Sequence, residues 1–78
     1  MSVGMARVVI LDRSVGARRA LRALLEAERD LEVVREFSDP TEALRFLLRV
    51  SVELLIIDEE LLAEGGLDAM EALMLERP

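Results

Sequence analysis

Leu54-Leu55-Ile56-Ile57-Asp58 sets four large aliphatic side chains in a row and stops them at a carboxylate. A run this short, half β-branched and apolar at both parities, predicts a strand buried on both faces. Such strands belong to parallel sheets with helices on each side, where ligands gather at the carboxyl ends of the strands. Asp58 stands at that end. The plainer alternative is an acid that begins a turn or caps the next helix. Glu59 and Glu60 follow; they are either additional metal ligands or a solvated acidic loop, and charge pattern alone favours the loop. Gly65-Gly66 is too short for a phosphate-binding loop and predicts a turn.

Upstream, Arg7-Val8-Val9-Ile10-Leu11-Asp12 is a second aliphatic run closed by an acid and predicts the first strand. Ser14 offers an N-cap. Ala17, Ala20, Leu21, Leu24 and Leu25 then recur at helical spacing, with Arg18, Arg19, Arg22 and Glu26 on the wet face, so a helix runs to near Arg29-Asp30. Leu31 to Phe37 alternates partially, as an edge strand does. Asp39-Pro40-Thr41-Glu42 reads as a helix start: Asp39 as cap, Pro40 at the first helical position, Glu42 completing a capping box. Ala43, Leu44, Leu47 and Leu48 form the buried stripe of that helix, with Phe46 off it. Leu67 to Met74 predicts a third helix, with Met70 and Met74 as core residues rather than a partner groove.

Strand and helix alternate three times, which predicts a parallel α/β sheet. Right-handed crossovers give strand order 2-1-3, with the first two helices on opposite faces. The winding reverses between the first and third strands, so Asp12 and Asp58 flank the crevice. Two converging carboxylates there suit a hard divalent cation such as Mg²⁺.

The totals narrow the chemistry. At 78 residues the chain is at most one domain of marginal stability. Apolar residues make up 53%, which argues against disorder. There is no cysteine and no histidine, so disulfides, thiol catalysis, zinc sites and imidazole acid–base chemistry are excluded. Every basic residue is arginine, which excludes Schiff-base lysines and Walker-type phosphate grips. A net charge of −6 disfavours nucleic-acid or anionic-membrane binding by this segment. No signal peptide or membrane-length apolar run is visible, so a cytoplasmic location is the expectation.

The pattern resembles the front part of a response-regulator receiver domain, most closely those in regulators with a C-terminal helix-turn-helix output domain. Val9-Ile10-Leu11-Asp12-Arg13 matches the first strand and its acidic pair. Ala20-Leu21-Arg22-Ala23-Leu24-Leu25, Leu31-Glu32-Val33-Val34-Arg35-Glu36 and Glu42-Ala43-Leu44 match the elements that follow. Asp58 falls on the phosphate-accepting aspartate, and Gly66, eight residues on, matches the loop glycine. The resemblance runs gaplessly from Arg7 through the third helix. It implies a truncated flavodoxin-like (CheY-like) three-layer fold, with residues 1–78 as a partial receiver-like domain. It also implies two-component phosphorelay signalling, a histidine kinase or another signalling protein as partner, and no enzyme activity. Asp58 would be the phospho-acceptor, and Asp12, Asp58 and the backbone carbonyl of Glu60 would hold Mg²⁺.

Four departures from the family pattern weaken that site. Arg13 takes the second acidic position, Leu62 replaces a proline, the sequence stops before the fourth and fifth strands, and there is no lysine. Arg13 should lower Mg²⁺ affinity; two courses are open to it, pairing with Asp58 or Asp12, or pointing to solvent. The alternative to a phospho-acceptor is a degenerate pseudo-receiver acting as a phosphorylation-independent interaction or dimerisation module. A small metal-dependent phosphatase using Asp12 and Asp58 is a third reading, disfavoured because no second carboxylate stands at the first strand. With no following strand in the sequence, the third strand leaves a bare aliphatic edge. The expectation is therefore a homodimer or a fragment of a longer regulator.

Overall fold

The computed structural model describes residues 4–66, 68 and 71. Strand β1 (Ala6–Leu11), helix α1 (Val15–Glu26), strand β2 (Leu31–Phe37), helix α2 (Pro40–Arg49), strand β3 (Leu54–Ile57) and a single turn of helix α3 (Glu59–Leu61) succeed one another. A wider turn, Leu62–Gly66, follows α3. All strands are parallel, in the order β2-β1-β3. This is the α/β, flavodoxin-like (βα)₃ winding expected from the alternating pattern.

The strand buried on both faces is β1. Val8, Val9 and Ile10 are inaccessible to solvent. On one face Val8 and Ile10 join Val33 under Leu21 and Leu25 of α1. On the other, Leu11 packs with Ala43 of α2 and Leu61 of α3. The aliphatic run in β3, expected to be the fully buried one, is only partly covered, and Leu54 is 42% exposed. The physical reason is position: among the described residues β3 pairs with β1 alone, so one flank has no neighbour.

The helix starts follow their local chemistry. Ser14 caps α1, its Oγ accepting the Ala17 N–H at 3.1 Å. Pro40 sits in the first turn of α2, where its missing N–H costs nothing. Asp39 takes the cap position there, but its side chain makes no cap hydrogen bond, so the expected capping box is not formed. Leu48, expected on the buried stripe, is exposed; Phe46 is half-buried instead, its ring 5.5 Å from that of Phe37. In α1, Leu24 is 69% exposed and Ala20 is also exposed, whereas Arg18 and Arg22 are half-buried. The inward arc is Ala17, Arg18, Leu21, Arg22 and Leu25, rotated from the purely apolar stripe because two arginines turn in toward β2. The helix ends at Glu26, a turn short of the expected boundary.

A β-bulge explains why those arginines turn inward. Val8 pairs with Val33 but Val9 pairs with Arg35, leaving Val34 as an extra residue in β2. One inserted residue flips every later side chain to the opposite face. Glu36 consequently pairs with Ile10 on the α1 face, and Arg35 moves to the α2 face, with its guanidinium 5.1 Å from the Phe46 ring centre.

After Asp58 the chain enters α3 directly, where a loop was expected. The turn expected at the glycine pair is present: Gly65 adopts φ 89°, a left-handed conformation that glycine takes without strain. Asp68 and Glu71 are helical; the rest of the expected third helix, Met70 and Met74 included, lies outside the described residues. Among the described residues no helix is long and apolar enough to cross a membrane.

Candidate functional site at the strand ends

The carboxyl ends of the three strands are stitched together by backbone hydrogen bonds. The Asp12 N–H donates to the Phe37 carbonyl at 3.0 Å, and the Asp58 N–H donates to the Leu11 carbonyl at 2.9 Å. Leu11 and Ile57 are register partners, so the two acids that follow them emerge side by side at the mouth of the sheet. The expected juxtaposition of Asp12 and Asp58 is therefore present, and the β1–β3 pairing fixes it.

Each carboxylate is partly engaged by its own turn. Asp12 Oδ1 accepts the Ser14 N–H at 2.8 Å, and Asp58 Oδ1 accepts the Glu60 N–H at 3.0 Å. Asp58 thus caps α3, the plainer of its two sequence readings, while standing at the strand end that the ligand reading requires. The Asp58 carbonyl also accepts the Leu62 N–H at 3.2 Å. A proline at this position, as the resemblance leads one to expect, would have no N–H; Leu62 supplies one, and its hydrogen bond ties this segment to Asp58.

Arg13 takes neither of its expected courses. Its guanidinium lies within 3.0 Å of the Glu60 carboxylate and 3.0 Å of the Glu64 carboxylate, pairing with neither Asp12 nor Asp58. The β1–α1 turn is thereby bridged to the segment after β3. Glu60, a candidate for its backbone carbonyl, contributes its side chain to this bridge. All three side chains are substantially exposed, so the ion pairs are individually worth only about 0–1 kcal/mol. On the α2 side the bridge borders an open groove of ≈ 420 Å³, also lined by Ser38, Asp39 and Pro40.

This donor set does not fit a tightly held divalent cation. Among the described residues no three acidic side chains converge as a metal cluster. The position beside Asp12 carries a cation of its own, and Asp12 and Asp58 each give an oxygen to a local amide.

A second polar cluster braces the site from below. Arg18 donates to the Asp12 carbonyl at 2.6 Å and lies 3.5 Å from Glu36. Arg22 donates to the other Glu36 oxygen and, at 3.4 Å, to the Val33 carbonyl. The hydrogen bond that Arg22 donates to Glu36 is the main cause holding the Arg22 guanidinium above its ordinary range, with Glu26 adding to it. Helical periodicity puts Arg18 and Arg22 on the wet face, and nothing in the local sequence announces the bulge that brings Glu36 beneath them. Nor does the local sequence mark Glu64 as Arg13's partner.

Comparison with known proteins gives a consistent outline. No protein-family model matches the chain, and no solved structure matches it. Over 68 residues it is 37% identical to the transcriptional regulatory protein LiaR of Bacillus subtilis (strain 168), covering 87% of this chain and 31% of that protein. Over 72 residues it is 33% identical to protein-glutamate methylesterase/protein-glutamine glutaminase 3 of Rhodopseudomonas palustris (strain BisB18), covering 92% of this chain and 20% of the relative. A protein-glutamate methylesterase/protein-glutamine glutaminase 1 of Cupriavidus metallidurans (strain CH34) is 32% identical over the whole of this chain and 22% of its own length. The chain therefore spans less than a third of each of these relatives. A transcriptional regulator and a hydrolytic enzyme have different activities by name, so what they share with this chain is a common segment and not a common reaction.

Proposed function

We propose, for a chain that belongs to the response-regulator receiver family, a two-component signalling module with Asp58 at the phospho-acceptor position and an impaired acceptor site. The single observation that carries the impairment is the Arg13 bridge to Glu60 and Glu64. A carboxylate that attacks an anionic phosphoryl group needs cations along its path. Here Arg13, the cation that follows Asp12 in the chain, is committed to two other carboxylates. Asp12, Asp58 and the Glu60 carbonyl are the oxygens available to Mg²⁺, and Arg13 weakens their hold on it. A histidine kinase or another signalling protein is the proposed partner.

The test is direct. The chain is incubated with acetyl phosphate and Mg²⁺ beside a standard receiver, and the intact mass is followed. In the reaction an Asp58 carboxylate oxygen would form a P–O bond as the phosphorus–acetate bond breaks, releasing acetate. Losing one preorganised electrostatic group typically costs roughly 100-fold in rate, which is the expected deficit here. Phosphorylation at the standard receiver's rate would reject the reading.

The exposed aliphatic flank of β3 favours a second reading, a pseudo-receiver that works as a phosphorylation-independent interaction or homodimerisation module. In that case Asp58→Ala leaves partner binding and signalling output intact, and loss of output counts against it.

A further inference from the structure

We propose that Arg13 is a resident counter-cation that holds the segment after β3 in place without a metal. This rests on the receiver reading of the chain. Asp12, Asp58, Glu59, Glu60 and Glu64 all lie at or just beyond the strand ends, and Arg13 reaches across to two of them, Glu60 and Glu64. Such a cluster of like charges repels itself unless a cation sits within it.

The geometry shows how the arginine meets that need. The guanidinium presents a planar fork of donors. Its Nη2 contacts Glu60 in α3 at 3.0 Å, and its Nη1 contacts Glu64 in the following turn at 3.0 Å. The two carboxylates belong to successive pieces of backbone, so one side chain fixes both relative to the β1–α1 turn. The segment is pinned independently at its start, where Asp58 accepts the Glu60 and Leu62 amides. It kinks at its end, where Gly65 takes a left-handed conformation. A covalently attached cation cannot dissociate. The position of this segment is therefore insensitive to magnesium.

Substituting Arg13→Asp removes the resident cation and adds a carboxylate beside Asp12. That variant needs an external cation to relieve the crowding. Arg13→Gln removes the charge without adding a ligand.

The test is Mg²⁺ titration of the 78-residue chain, followed by calorimetry and by the amide resonances of Glu60 and Gly65, with NaCl matching the ionic strength. The wild type is expected to show no saturable heat and no Mg²⁺-dependent movement of either resonance. Arg13→Asp is expected to bind Mg²⁺ at least about tenfold more tightly than the wild type, with both resonances shifting. Arg13→Gln is expected to fall between them and to serve as the deciding comparison if the aspartate variant does not fold. Saturable Mg²⁺ binding by the wild type at the affinity of Arg13→Asp overturns the proposal. So does failure of both variants to gain Mg²⁺ affinity. Neither readout depends on phosphoryl transfer, so a poor acceptor and a mistaken role for Arg13 give different results.

Discussion

Arg22 and Glu36 meet across the α1–β2 interface, with the guanidinium donating to one carboxylate oxygen while Arg18 approaches the other. One acid thus anchors two arginines of the same helix, and Arg18 passes the connection on to the Asp12 carbonyl. The α1 face is held by a polar clamp as well as by Leu21 and Leu25.

Replacing Glu36 with alanine should therefore destabilise the fold by about 1–3 kcal/mol, because it leaves two guanidiniums without their shared partner. For a domain of this size that is a fall in Tm of roughly 4–8 °C per kcal/mol. Arg22→Gln should cost less, since Glu36 keeps Arg18. Thermal melts of both variants check the order; equal costs would mean that Glu36 does not hold the pair together.

Asp58 carries a structural role separable from chemistry. Asp58→Ala removes the cap on the Glu60 amide and should cost about 0.5–2 kcal/mol, whereas Asp58→Asn retains a capping oxygen and should be close to neutral. Chemical denaturation measures both. A large loss for the asparagine variant would show that charge, and not capping, dominates at this position.

The burial pattern predicts a contrast within α1 and β1. Ile10→Ala, in the inaccessible strand, should cost about 2–5 kcal/mol. Leu24→Ala, on the exposed side of α1, should stay within about 0.5 kcal/mol of wild type. A substantial loss at Leu24 in the isolated chain would mean that this side of α1 is covered by a second copy.

Association is predicted through β3. At about 25 cal/mol per Å², a few hundred Å² of apolar surface supplies several kcal/mol of drive. Light scattering on a sizing column at micromolar concentration should give a mass above the 8.7 kDa of one chain. Leu54→Lys places a charge on the exposed flank and should return it to a monomer. A wild type that is already monomeric removes this expectation.

Stability should be nearly flat with pH from about 6.5 to about 10, because no histidine, cysteine, lysine or tyrosine side chain is present to titrate there and the α-amino group is the one ordinary titration in that range. Arg22 does not alter this. Its pKa is raised in the fold, so its contribution is complete below the unfolded value and is lost only as pH rises through the still higher folded one. Denaturant midpoints across that range provide the measurement, and a slope within it would contradict the assignment.

The amino-acid sequence by itself determined the three aliphatic runs, the helices between them, the parallel 2-1-3 order and the placing of Asp12 and Asp58 at one end. These follow from periodicity, caps and the handedness of crossovers, all encoded over short stretches. Tertiary structure alone decided that β1, and not β3, is the buried strand, because burial depends on how many neighbours a strand has. It alone decided that Val34 bulges, since either register keeps β2 apolar enough locally; only pairing with β1 selects the one that carries Glu36 to Arg18 and Arg22 and sends Arg35 to Phe46. Arg13 found Glu60 and Glu64 for the same reason: a long side chain at a strand end chooses among acids that lie far off in the chain and come within reach only once the sheet has formed.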